Sequence, residues 1–230
     1  MKAGFRGLFT GLMLWIVVIF CAAQAIAQAE KEQPPKVSDS PLTSDELAIY
    51  HAVLDGWMRD TNQPIFLSIQ TVPLDPENEG CGKNAPALEK ADPRMVHRFR
   101  NGDIAKLGRA KLTLVDPEAQ KKQVAENDPG KAIREGKSVD DAVKGGFDHG
   151  LVSLSEVRFD EKHERAIVWY GFVCGSLCGN GATVVMEKQD GVWTLKGFCS
   201  SWISRGEDSG GDGDLGAASI RRVKRAAPNA

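Results

Sequence analysis

Between Val152 and Cys199 four apolar, β-branched runs follow one another at intervals too short for anything but hairpins. Val152, Leu154 and then Val157 and Phe159 lie in the first, and Asp160 to His163 turn the chain into the second, Ala166 to Val173. That second run is apolar on both faces, which places it in the middle of a sheet. Ala182 to Lys188 and Val192 to Cys199 follow, joined by Gln189-Asp190-Gly191, whose Asp-Gly pair suits the positive φ of a tight turn. Strands joined this way are antiparallel neighbours, and a meander with one apolar face needs a cover.

The cover is found upstream. Thr43 with Glu46 three residues on forms a capping box, after which Leu47, Tyr50, Val53, Leu54, Trp57 and Met58 recur at helical spacing. An amphipathic helix of about 15 residues is predicted. The fold class expected is therefore α+β, an N-terminal amphipathic helix packed on an antiparallel β-meander, as in cystatin-like or nuclear-transport-factor-like folds. In between, Ile65 to Val72 reads as a strand closed off by Pro64 and Pro73, and Leu112 to Val115 as another. Asp92-Pro93 has the form of a helix start that Asn101-Gly102 would end. Asp116-Pro117, Asp128-Pro129 and Ser138 open three further short helices.

The first 27 residues read as an export signal. Lys2 and Arg6 precede an apolar run from Leu8 to Ala23, and Ala25-Ile26-Ala27 supplies the small residues of a processing site. An uncleaved anchor is the competing reading, since the run is long enough to span a bilayer. Phe20 before Cys21 is too bulky for lipidation. Removing the signal leaves 230 − 27 = 203 residues, and takes the net charge from 29 − 31 = −2 to 27 − 31 = −4, without the basic excess of a nucleic-acid binder. Residues 28–41, rich in Gln, Glu, Lys, Pro and Ser, are expected to be a flexible linker, and residues 42–204 a single domain. Residues 205–230, Gly- and Asp-rich and then basic, are expected to be a disordered tail; Asp208, Asp212 and Asp214 lack the spacing of a calcium loop. Periplasmic or secreted localisation follows, with no stable membrane span once the signal is cleaved and an envelope or extracellular ligand as partner.

Export changes how the cysteines are read, because thiols outside the cytosol tend to oxidise. Cys81, Cys174, Cys178 and Cys199 can pair in three ways. Joining Cys174 to Cys178, on one tight connection, and Cys81 to Cys199 is preferred, with the other two pairings left open. A zinc site is disfavoured because Cys81 and Cys199 each stand alone rather than in close couples. CxxxC after a strand also lacks the helix end that activates a redox thiol. No cofactor motif is present: His51, His97, His149 and His163 show no metal-ligand spacing, and neither HExxH nor GxSxG occurs. Asp160, Glu161 and Glu164 suit a charged hairpin tip, and Trp169, Trp193 and Trp202 suit core or sheet surface.

Four stretches carry a resemblance: Leu154-Ser155-Glu156-Val157-Arg158-Phe159, Cys174-Gly-Ser-Leu-Cys-Gly-Asn-Gly, Met186-Glu-Lys-Gln-Asp-Gly-Val-Trp193 and Trp202-Ile-Ser204. Together they resemble the C-terminal segment of a broad group of uncharacterised exported bacterial proteins. The resemblance covers about 50 residues and implies an exported helix-and-sheet domain with no established activity. Cys81 and Cys199 fall outside the shared motif, which implies that Cys174 and Cys178 are a self-contained pair. The function expected is non-catalytic binding or interaction by a disulfide-stabilised domain. The alternatives are an envelope hydrolase or thiol enzyme using Cys174 or Cys178 with a histidine, and a structural envelope protein.

Overall fold

The computed structural model describes residues 34–57, 64–74, 81, 86–108 and 111–204. The expected signal, Met58, and the expected tail from residue 205 lie outside them. The chain divides into two compact units, Met1–Pro35 and Lys36–Ala230, and every element below belongs to the second.

Helix α1 (Ser44–Trp57) begins as its capping box requires. The Thr43 N–H donates to Glu46 Oε2 at 2.6 Å and the Glu46 N–H donates back to Thr43 Oγ1 at 3.2 Å, so two donors that a helix start leaves open are met. Leu42 and Leu47, at the positions that staple a helix entry, are both buried.

The main sheet runs β4-β2-β5-β7-β8-β9, with β2 at Ile65–Ser68, β4 at Leu112–Val115, β5 at Leu151–Leu154, β7 at Arg165–Val173, β8 at Gly179–Gln189 and β9 at Val192–Ile203. From β5 onward all pairings are antiparallel, and β7 is interior. The turn into β9 has positive φ at both Asp190 and Gly191 (50° and 80°), the backbone of a two-residue hairpin loop. The sheet is nonetheless mixed, where the sequence predicted only antiparallel pairing. β2 lies parallel to both β4 and β5, because the chain between them is long enough for crossovers. One crossover carries α3 (Pro117–Glu126), α4 (Pro129–Arg134) and α5 (Val139–Phe147) after a short α2 (Asn101–Ile104) further upstream. Asp116, Asp128 and Ser138 cap α3, α4 and α5, as their sequence positions predicted.

Three local expectations are corrected. Part of the predicted linker, Lys36–Ser38, is a strand (β1) lying parallel to β3 (Met95–His97). Asp92-Pro93 starts a turn, with Arg94 N–H donating to Asp92 Oδ1 at 3.0 Å, and β3 follows where a helix was predicted; Asn101 opens α2 instead of closing a helix. Pairing with β1 and burial of Val96 and Phe99 prevail over the local cap signal. The single strand predicted from Val152 to Phe159 breaks at Ser155, leaving β6 (Arg158–Phe159) as a separate piece beside β7. There the Ser155 hydroxyl enters the ladder, accepting from Trp169 N–H at 2.8 Å and donating to Glu156 O at 2.8 Å, which turns the chain aside.

Both sheet faces are covered. Leu47, Tyr50, Val53 and Leu54 of α1 share one buried cluster with Val168 and Phe172 of β7 and Ala182, Val184 and Met186 of β8. On the opposite face Leu74, Cys81, Ile167 and Val185 form a smaller cluster, with Leu88, Trp169 and Cys199 packed against it.

Candidate functional site

The two cysteines of the connection after β7 are bonded to each other. Cys174 is bonded to Cys178 with Cα atoms 5.1 Å apart, and Cys81 to Cys199 with Cα atoms 4.3 Å apart across 118 residues of sequence. The small ring is seated on the start of α4. Asp128 caps α4 by accepting from the Lys131 N–H at 2.8 Å, and it also accepts from the Ser176 hydroxyl at 3.0 Å and the Ser176 N–H at 2.5 Å. Burial raises the Asp128 pKa, but these donors outweigh it and hold the carboxyl below its ordinary value. Gly175, at φ +126°, is required here: a Cβ would stand 2.4 Å from Pro129 Cδ. Ser176 is thus a fastener for the ring, and the sulfurs on either side of it are joined to each other.

The four histidines go to four different places. His51 lies against Gly108, and the His149 ring is 2.9 Å from the Gly145 carbonyl. His163 stacks on Phe159 with ring centroids 4.6 Å apart, its Nε2 3.3 Å from Glu89. Asp160 closes that hairpin tip by accepting from the Glu164 and Arg165 N–H groups. Trp193 is buried in the α1-side core, while Trp202 covers Gly179 and Gly181 of β8.

His97 makes the one constellation the sequence did not reveal. Its Nδ1 is 2.7 Å from Glu156 Oε2, and its N–H donates to Glu156 Oε1 at 2.8 Å. The Thr71 hydroxyl makes a short contact with the same Oε1, and Tyr50 donates to the Ser155 carbonyl at 2.9 Å. Glu46, from the first turn of α1, completes the group: one oxygen or nitrogen each from Glu46, His97 and Glu156 lies within 4.8 Å of the other two. Burial, and then the charges of Glu156 and Glu46, push the Tyr50 phenol well above its ordinary range. Two carboxylates and an imidazole at this spacing are the donor set of a divalent cation. Here, however, both oxygens of Glu156 already face Thr71 and His97, and Glu46 Oε2 accepts from both donors of Thr43. Glu156, His97 and Thr71 form a hydrogen-bond node joining the end of β2, β3 and the β5–β6 break, and α1 reaches it through the Tyr50 bond to the Ser155 carbonyl. Its members lie 59 and 85 residues apart, beyond any spacing motif; the available signal was a carboxylate inside the predicted strand Val152 to Phe159.

The remaining unusual feature is an edge. Among the described residues β9 is hydrogen-bonded on one side, to β8, and ends the sheet. Ala182, Val184 and Met186 of β8 point into the α1-side core, so their register partners Ser201, Phe198 and Leu195 share that face. Ile203, opposite Asn180, continues the row. Leu195, Phe198 and Ile203 are exposed by 47%, 60% and 70%. Among the described residues no helix is long and apolar enough to cross a membrane. No protein-family model, curated protein or solved structure matches the chain.

Proposed function

We propose that the chain is an exported, disulfide-braced interaction domain that meets its partner along the outer edge of β9. The observation carrying this reading is that twelve-residue edge, with Leu195, Phe198 and Ile203 exposed in one apolar row on the face where α1 buries Trp193 of the same strand. An edge strand offers main-chain donors and acceptors, and natural edges are normally blunted by charge, proline or bulges; β9 carries two bulges, at Lys196 and Cys199, yet keeps ten residues in register. β9 has no proline and a single ionisable residue, Lys196. Main-chain pairing supplies affinity in strand addition, and the apolar row supplies selection.

Export is supported by the basic and apolar N-terminal segment with its Ala25-Ile26-Ala27 site, and by two disulfides, which persist in oxidising compartments. The resemblance to exported bacterial proteins in Leu154 to Ser204 agrees with both. The helix lying on a meander is the arrangement that motivates comparison with cystatin-like and nuclear-transport-factor-like domains; it bears on architecture and leaves the ligand open.

The test is a photo-reactive phenylalanine analogue placed at Phe198 in cells, with the exposed Lys122 position on α3 as control. Illumination is expected to yield a discrete adduct from position 198 and none from position 122. Equal labelling at both positions, or none at either, would contradict the edge as a contact surface.

A further inference from the structure

We infer that the occupant of the β9 edge is a second copy of this chain, joined antiparallel, β9 to β9, across a twofold axis. The inference rests on the reading of that edge as a contact surface and adds the identity of the partner. Three features of the edge favour a copy of itself over a foreign strand.

The first is charge. Lys196 is the only ionisable residue from Val192 to Ile203, and its Nζ lies 2.9 Å from Glu187 Oε2 on the neighbouring β8 of the same chain. Lys188, one strand in, is likewise held by Asp45 of α1 at 2.9 Å. The strip therefore has little net field with which to select an acidic or basic partner, and an identical strip approaching it meets little repulsion.

The second is symmetry. The complement of an apolar row on an uncharged edge is another apolar row, and an antiparallel twofold through Phe198 sets Phe198 against its own copy and runs the rest of the row alongside itself in reverse. Lys196 and Cys199 are left out of the register with β8, so β9 is bulged at two places, and bulges strengthen local twist. Under a twofold the two strands carry the same bulges and the same twist, a match no regular foreign strand provides.

The third is closure. The opposite edge of the sheet, β4, has four residues against the twelve of β9, so the two edges are unequal templates. Head-to-tail addition of β9 to β4 would leave most of β9 unpaired, whereas β9 on β9 uses the whole strand and ends with two copies.

Light scattering of the mature, oxidised chain across a dilution series tests this. Twice the mass of one chain is expected at high concentration, with amide exchange along β9 slowing as the concentration rises. Phe198→Lys and Ile203→Lys are each expected to weaken association at least tenfold while leaving the near-ultraviolet circular dichroism unchanged. Ile203, the more exposed, keeps the test valid if Phe198→Lys folds poorly. A twofold mass that survives both substitutions places the dimer contact elsewhere and overturns the inference. A single-chain mass at every concentration, with position 198 still crosslinking to some other polypeptide, overturns the second copy and leaves the edge reading standing. A single-chain mass with no crosslink at all overturns both.

Discussion

Replacing Glu156 by alanine is expected to destabilise the domain by about 3 to 5 kcal/mol, read from the midpoint and slope of urea unfolding. Glu156 is buried, and its carboxylate is the common acceptor for the Thr71 hydroxyl, the His97 N–H and the His97 ring. Truncation removes the acceptor: the Thr71 hydroxyl and the His97 N–H keep only their bonds to each other's segment, and the His97 ring nitrogen loses its partner, the costly half of the hydrogen-bond balance. It also loosens three segments at once, since the end of β2, β3 and the β5–β6 break meet at this carboxylate. Glu156→Gln keeps the shape and one acceptor oxygen, so it is expected to cost about 1 to 3 kcal/mol. Glu118, whose partner Lys121 is on the same exposed helix face, is the control, with an effect within about 0.5 kcal/mol. A Glu156→Ala loss no larger than that of the Glu118 control would refute the node as a structural fastening.

The two disulfides are expected to differ sharply when removed as alanine pairs. Closing 118 residues between Cys81 and Cys199 restricts the unfolded chain by roughly 4 to 5 kcal/mol in the ideal loop model, against about 2 kcal/mol for the Cys174 to Cys178 ring. Packing widens the gap. Cys81 and Cys199 belong to the cluster that covers the second sheet face, with Leu74, Leu88, Ile167, Trp169 and Val185, so their loss also loosens the cover over β7 and β8. The small ring is held independently by Asp128, through Ser176, and keeps part of its seat without the bond. Thermal or urea midpoints of the two double variants decide this, and equal shifts would contradict it.

What the sequence made legible is what local chemistry determines. The Thr43–Glu46 box, the caps at Asp116, Asp128 and Ser138, and the Asp190-Gly191 turn are each decided within four residues, and each stands where its residue types place it. The meander was legible for a related reason, since short connections leave its strands no other neighbours. What stayed hidden depended on distant partners. Nothing in Lys36–Ser38 announces a strand until Met95–His97 is beside it, and that pairing replaced the helix suggested by Asp92-Pro93. Parallel addition of β2 and β4 is likewise set by crossovers rather than by the strands' own residues. Of the site, the cysteines were visible as candidates. The Glu156–His97–Thr71 node was not, because its members come from separate segments and His97 sat in a stretch read as helical. The β9 row was hidden as well: Val192 to Cys199 looked like any half-buried strand, and only its position at the sheet edge exposes Leu195 and Phe198.

Bracing by sulfur in an oxidised, exported domain is the proposal on which the rest depends. Its most direct test is the intact mass of the protein recovered from its own cells, alkylated before and after reduction, with the linked peptides then mapped. The account predicts a chain lacking its first 27 residues, untouched by alkylation until reduced and then labelled at Cys81, Cys174, Cys178 and Cys199, with peptides joined as Cys81 to Cys199 and Cys174 to Cys178. A full-length chain whose cysteines are labelled without reduction would contradict it.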